Sequence, residues 1–201
     1  MTTANENPNG AGTSGEARIA GIVLVATTLL SILMMLHHPT AETHEPASLA
    51  ADIASKATLS RVVHGVLIAL IALEVYAFLV FAERIAPGRS AARAGFVAFA
   101  IGAGAMMGAA LISGFVMSSL AGYYAGTADP APFVDFARLS MAGNQALANL
   151  GVIAMSVAIV LWAIALLAGA IHLDVHGMLL VVVAQAIWNL AAGAELIRGR
   201  I

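Results

Sequence analysis

Six histidines, one acid inside an apolar run and a handful of amide side chains are the groups in this sequence equipped for chemistry. Four histidines, His37, His38, His44 and His64, fall around one polar connection, between Leu36 and Val66. Neutral imidazoles with carboxylates nearby, here Glu42 and Glu45, suit Cu, Zn or Fe, and two imidazoles on opposite faces suit a haem. His38, His64 and His37 are therefore the candidate metal ligands, with haem or copper the candidate cofactor. The alternative is that these side chains only bridge apolar and wet layers. His172 and His176 share an i, i+4 spacing, but they sit in a short turn. Asp174 between them reads most simply as a helix N-cap.

Glu74 is the sharpest single residue. It stands within Val62 to Ala82, far from either end of that apolar segment. An acid at the bilayer centre costs about 2.5–3.5 kcal/mol on insertion scales, so it faces the interior of a bundle. The helical period puts it on one face with Leu67, Ile71, Phe78 and Phe81. It could relay protons, bind an ion or contact a substrate. It could equally be a neutral carboxyl hydrogen-bonded to a neighbouring helix. Gln185 and Asn149 are its candidate partners for an ion or substrate site. Asn144, Gln145, Asn189, Ser113 and Ser156 complete the set of polar side chains that could bind helices together.

These groups need elements to hold them, and the composition says which. Of 201 residues, 61% are apolar and 10% charged. A soluble domain is about 45–50% apolar and about 25% charged. The chain therefore reads as an all-α integral membrane bundle of about five transmembrane helices, with the lipid bilayer as its partner. Its spans are about 19–36, 62–82, 94–121, 146–170 and 177–195. Residues 1–17 read as a disordered tail, and 48–57 and 133–141 as amphipathic segments. In the first of these, Leu49 and Ile53 oppose Asp52 and Lys56. The 19–36 run is longer than a cleaved leader's core and lacks a small-residue cleavage site, so it reads as a membrane helix. Residues 18–201 form a single membrane domain, and no alternating barrel strand appears.

Several functions are excluded. Nine Lys and Arg against eleven Asp and Glu leave a net charge of −2, so no basic face exists for nucleic acid. Without cysteine there is no disulfide, thiolate metal site or covalent c-type haem. No nucleotide loop, HExxH zinc site or GxSxG elbow is present, so the chain reads as non-enzymatic more readily than as an enzyme. Gly104 and Gly108 form a GxxxG pair, extended by Ala100, that makes the third span a central packing element or a homo-oligomer contact. Met106 and Met107 read as core filling rather than thioether copper ligands. Arg84, Arg89 and Arg93 crowd one short loop, which places that loop and the N-terminus in the cytoplasm by the positive-inside bias.

One stretch carries a resemblance. His172-Leu173-Asp174-Val175-His176-Gly177, followed by Gln185-Ala186-Ile187-Trp188, resembles the last helix of small bacterial polytopic inner-membrane proteins of unknown function. Those proteins also tend to carry a His-Pro ending helix 1, as His38-Pro39 does, and a histidine early in helix 2, as His64 does. The resemblance implies a multi-helix fold and the bacterial inner membrane, and no activity. Three functions are carried forward. They are a non-enzymatic subunit or accessory factor beside a membrane-protein partner, a haem- or copper-handling protein using the rim histidines, and a proton-coupled transporter built on Glu74.

Overall fold

The computed structural model describes residues 9–39, 45–85, 90–127, 129, 131–167 and 187. The chain is an all-helical membrane protein, and among the described residues four helices are long and apolar enough to cross a bilayer. Apart from Ile187, the expected fifth span, 177–195, lies outside the described residues, and so do Glu42, His44, His172, Asp174, His176, Gln185 and Asn189.

Helix α1 runs Asn9–Leu36. Its apolar run begins at Ile19 as expected, but the helix reaches back into the segment read as a tail. Once a helix is nucleated, each further residue adds a hydrogen bond at little cost. Pro39 ends it, because the residue before a proline avoids the helical region. Helix α2 is Pro46–Ser55, with proline in its first turn and Glu45 as an extended N-cap. Its Leu49 and Ile53 pack on a buried cluster of Ala50, Met117, Ala121, Phe133 and Ala137. Beside them rather than on the opposite face expected from the sequence, Lys56 pairs with Asp52 at 3.1 Å. Helix α3, Ala57–Ile85, follows at once and overruns the expected 62–82 at both ends.

The third span is one helical rod over Ser90–Tyr124, of 35 residues. At 1.5 Å per residue it is about 52 Å long, well beyond a hydrocarbon core of about 30 Å. It consists of α4 (Ser90–Leu111), a π-turn (Ile112–Val116) and α5 (Met117–Tyr124). The fourth span differs from expectation. The segments 133–141 and 146–170 are not separate, because α6 runs unbroken through Ala131–Leu167. Gly143, Asn144 and Gln145 look like a break in sequence. In the fold the Ser113 hydroxyl donates to Asn144 Oδ1 at 3.0 Å and the Gln145 amide to Asn149 Oδ1 at 3.2 Å, so the polar residues are satisfied without ending the helix. Asp129 starts α6 by accepting from the Ala131 N–H at 3.0 Å.

Large apolar side chains stand outward on every span. Leu29 is 63% and Val160 57% exposed, so the solvent of this surface is hydrocarbon. Inside, Trp162 stacks on Phe78, with ring centroids 5.0 Å apart, among Phe81 and Phe99. Its indole N–H donates to the Ala92 carbonyl at 3.1 Å. A Cβ on Gly95 would lie 2.6 Å from Trp162 Nε1, so glycine there admits the ring. Trp162→Phe keeps the stack and loses the hydrogen bond. It is expected to cost about 1 kcal/mol of stability, measured by thermal unfolding in detergent.

The third span is central, packing on both α3 and α6, but only one end of the expected row takes part, since a Cβ on Gly108 would lie 3.1 Å from Leu147 Cδ1 of α6. Gly104 is exposed, and a Cβ there would meet nothing within 4 Å. The close approach is made by Gly102 of α4 against Gly151 of α6, one face over. Among the described residues, α1 packs on α3 alone.

Candidate functional site

Helices α1 and α3 are antiparallel, and two pairs of polar side chains mark their seam. Moving eleven residues along α1, from Thr27 to His38, moves ten residues back along α3, from Glu74 to His64. One pair is at the rim and the other about 15 Å deeper, at 1.5 Å per residue.

The rim pair is built from three elements. His38 sits just past the end of α1, where its N–H still bonds the Met35 carbonyl at 3.2 Å and Pro39 fixes the exit. His64 is on the second turn of α3 and is buried, 4% exposed. The two Nε2 atoms are 3.1 Å apart. His64 Nδ1 lies 2.7 Å from the Ser60 carbonyl one turn earlier. A carbonyl only accepts, so Nδ1 carries the hydrogen and the His64 Nε2 lone pair faces His38. His38 Nε2–H therefore donates to it, which leaves His38 Nδ1 bare, and that atom is buried without a hydrogen-bond partner. Burial first, and the neighbouring His64 second, hold the His38 pKa below the usual imidazole value, with the Pro39 backbone opposing them.

The third element is the π-turn. Met117 N–H reaches back to the Ile112 carbonyl, and the widened turn presents Gly114 to His64. A Cβ on Gly114 would lie 2.4 Å from His64 Cβ and 2.7 Å from Cγ. Glycine here is what allows His64 to lie flat against the third span.

Of the three expected metal ligands the fold brings two together. The His37 ring turns away, exposed, and donates from Nδ1 to the Leu33 carbonyl at 2.9 Å. The reason is angular, since successive residues at a helix end point about 100° apart. Among the described residues no group of three or more His, Cys, Asp or Glu is placed to hold a metal. Two imidazoles are thus the whole described donor set, and they leave coordination positions open.

The deeper pair is Glu74 and Thr27. Both are buried, 6% and 2% exposed, and the Thr27 hydroxyl donates to the Leu24 carbonyl at 3.1 Å. The expected partner Asn149 is not there. It stands exposed on α6, bonded to Gln145. Gln185 lies outside the described residues. Thr27, Ser60 and Gly114 were not picked out as site residues from sequence. The signals were a hydroxyl pair, Thr27-Thr28, in the middle of an apolar run, and the i, i+4 spacing of Ser60 and His64.

Compared with known proteins, the chain matches no family model, no curated protein and no solved structure.

Proposed function

We propose that this chain is a transition-metal-handling protein of the bacterial inner membrane, with His38 and His64 as its ion ligands at the extracytoplasmic rim and its N-terminus in the cytoplasm. The observation that carries this reading is the 3.1 Å approach of the two Nε2 atoms, one of them on a ring whose other nitrogen is anchored to a backbone carbonyl. Ligation by both needs both lone pairs, so the hydrogen on His38 Nε2 moves to the unpartnered His38 Nδ1 when an ion enters. That second bond is the usual support of a metal-ligating histidine, fixing its tautomer and orientation.

The spacing also favours one kind of ion. Two nitrogens at about 2.0–2.1 Å from one tetrahedral ion lie about 3.3 Å apart, and about 4 Å apart if they face each other across it. The observed separation is within a few tenths of an ångström of the first. Axial ligation of a haem needs the second, with a macrocycle between rings that here touch. Cu(II) or Zn(II), held by adjacent ligands with water or a delivering partner in the open positions, fits better. An ion held by two neutral ligands is readily passed on, so the role is handling rather than catalysis. This agrees with the non-enzymatic accessory reading.

The full-length protein, purified in detergent and stripped with chelator, is expected to retain one Zn(II) or Cu(II) per chain through desalting. His38→Ala is expected to retain none. Equal retention by the two proteins, measured by elemental analysis, would sink the proposal.

A further inference from the structure

The rim end of α3 carries a cation without an acid. Arg61 is exposed, and among the described residues it pairs with no carboxylate. The other two described cations at this rim are matched, Lys56 by Asp52 at 3.1 Å and Arg138 by Asp135 at 3.9 Å. Arg61 reaches instead across the seam to the third span, where its Nη2 donates to the Ser119 hydroxyl oxygen at 3.3 Å. That bond holds the guanidinium in place and leaves the rest of its five N–H donors for a ligand. Ser119 accepts in this bond, so its own O–H is left to donate as well.

Depth sets what surrounds the pair. The two histidines mark the edge of the hydrocarbon, since His38 stands just past Leu36, where the apolar run of α1 ends. Arg61 is one turn outside His64 on α3, about 4.5 Å at 1.5 Å per residue. Headgroups add about 5–7 Å on each side of the hydrocarbon, so the guanidinium lies at the level of lipid phosphates. One turn inward on both helices the seam is apolar. A Cβ on Gly65 would lie 3.6 Å from Phe115 Cζ, and Val62 and Val116 face outward beside that contact, 55% and 44% exposed. One turn outward from Ser119, Tyr123 is exposed with its ring against Tyr124, where an aromatic belt meets headgroups. A fixed fork of donors above an outward-facing apolar seam has the layout of a phospholipid, phosphate above acyl chain. A zwitterionic headgroup would bring an ammonium that finds no free acid beside Arg61, so an anionic headgroup fits better.

We propose that Arg61 and Ser119 form a binding site for the phosphate of one anionic phospholipid, whose acyl chain lies over the Gly65–Phe115 contact beside Val62 and Val116. The guanidinium and the Ser119 O–H donate to the phosphate oxygens, and no covalent bond changes. The site does not use the two histidines and does not depend on metal binding there.

Native mass spectrometry of the full-length protein, purified in detergent and stripped of lipid, tests this. The wild type is expected to bind one phosphatidylglycerol about 10-fold more tightly than phosphatidylethanolamine, the scale of one charge-assisted hydrogen bond. Arg61→Gln is expected to lose that preference. Ser119→Ala keeps the charge, is expected to weaken phosphatidylglycerol about fivefold, and serves if Arg61→Gln fails to fold. Arg138→Gln, at the same rim but matched by Asp135, is expected to keep the wild-type preference. Equal binding of the two lipids by the wild type overturns the proposal. So does a preference that survives Arg61→Gln, or one that disappears in Arg138→Gln, which would make it an effect of net charge. Inorganic phosphate in large excess is expected to leave the lipid in place, and displacement would make this a free-anion site and overturn the lipid assignment.

Discussion

His64→Ala is expected to lower the affinity for Zn(II) or Cu(II) by more than 100-fold, measured by competition with a chromophoric chelator. Losing even an outer-shell partner of a metal ligand costs about 10–100-fold, and here one of two ligands is removed. The surrounding residues should follow a graded order. Gly114→Ala forces a Cβ to within 2.4 Å of the His64 side chain, so either the ring or the π-turn must move. It is expected to weaken binding about 10-fold, as an outer-shell change does. Ser60→Ala should change little, because the close partner of His64 is the Ser60 carbonyl at 2.7 Å, whereas the hydroxyl stands at 3.4 Å. The pH dependence has a definite sign. Metal binding requires neutral imidazole, and protons compete only below the ligand's pKa. Burial holds His38 below the usual value of 6.5, so affinity is expected to be level from pH 7.5 to 6.5 and to fall only below that. A tenfold loss already at pH 6.5 would contradict the buried placement of His38.

Gly102→Val is expected to be the most damaging single change to the fold, destabilising it by about 3 kcal/mol or preventing assembly. A Cβ at Gly102 would lie 2.8 Å from Met155 Cγ, 2.9 Å from the Gly151 carbonyl oxygen and 3.1 Å from the Met155 nitrogen. The first neighbour is flexible and can give way, but the other two are backbone and move only if α6 moves. Gly151 is the reciprocal position. A Cβ there meets Met106 Cγ at 2.6 Å and Sδ at 2.7 Å, with the Gly102 oxygen at 3.2 Å, so Gly151→Ala should be milder. Gly104→Val is the control, expected within about 0.5 kcal/mol, because that position faces open space. Unfolding in mixed micelles would order the three. Equal damage at Gly104 and Gly102 would mean that the α4–α6 seam does not hold the bundle.

The contrast between these glycines shows what could and could not be read from residues alone. The first span stops at Leu36, and the second close to its expected end, because those stops are covalent or electrostatic. Pro39 halts α1, and the charged residues at 83–84 lie at the end of α3. The meeting of His38 with His64 was legible for a topological reason, since consecutive spans joined by one connection place the end of the first beside the start of the second. Which of His37 and His38 would meet it was not legible, because that depends on the rotation of the last helical turn. The GxxxG spacing of Gly104 and Gly108 was half misleading for the same reason, since Gly108 meets Leu147 of α6 while Gly104 faces outward. A one-dimensional pattern marks a face but not the neighbour it turns to, and the face that packs carries Gly102. The π-turn left no signature, because its extra residue is accommodated by the shape of His64 on another helix. The division at 141–146 failed because polar residues that break an isolated helix are satisfied across the bundle by Ser113 and along the helix by Asn149.

Among the described residues α1 leans on α3 alone, and this bears on how the protein is made. It leaves the ribosome before α3, which follows some twenty residues later. In that interval α3 is not yet there to hold it, and α1 stays in the bilayer by partition. The residues that secure it then are Ile22, Leu29 and Leu36, which face outward in the finished protein and contribute little to its packing. Polar substitutions at these positions would therefore act on the yield of correctly threaded chains rather than on the melting of folded ones.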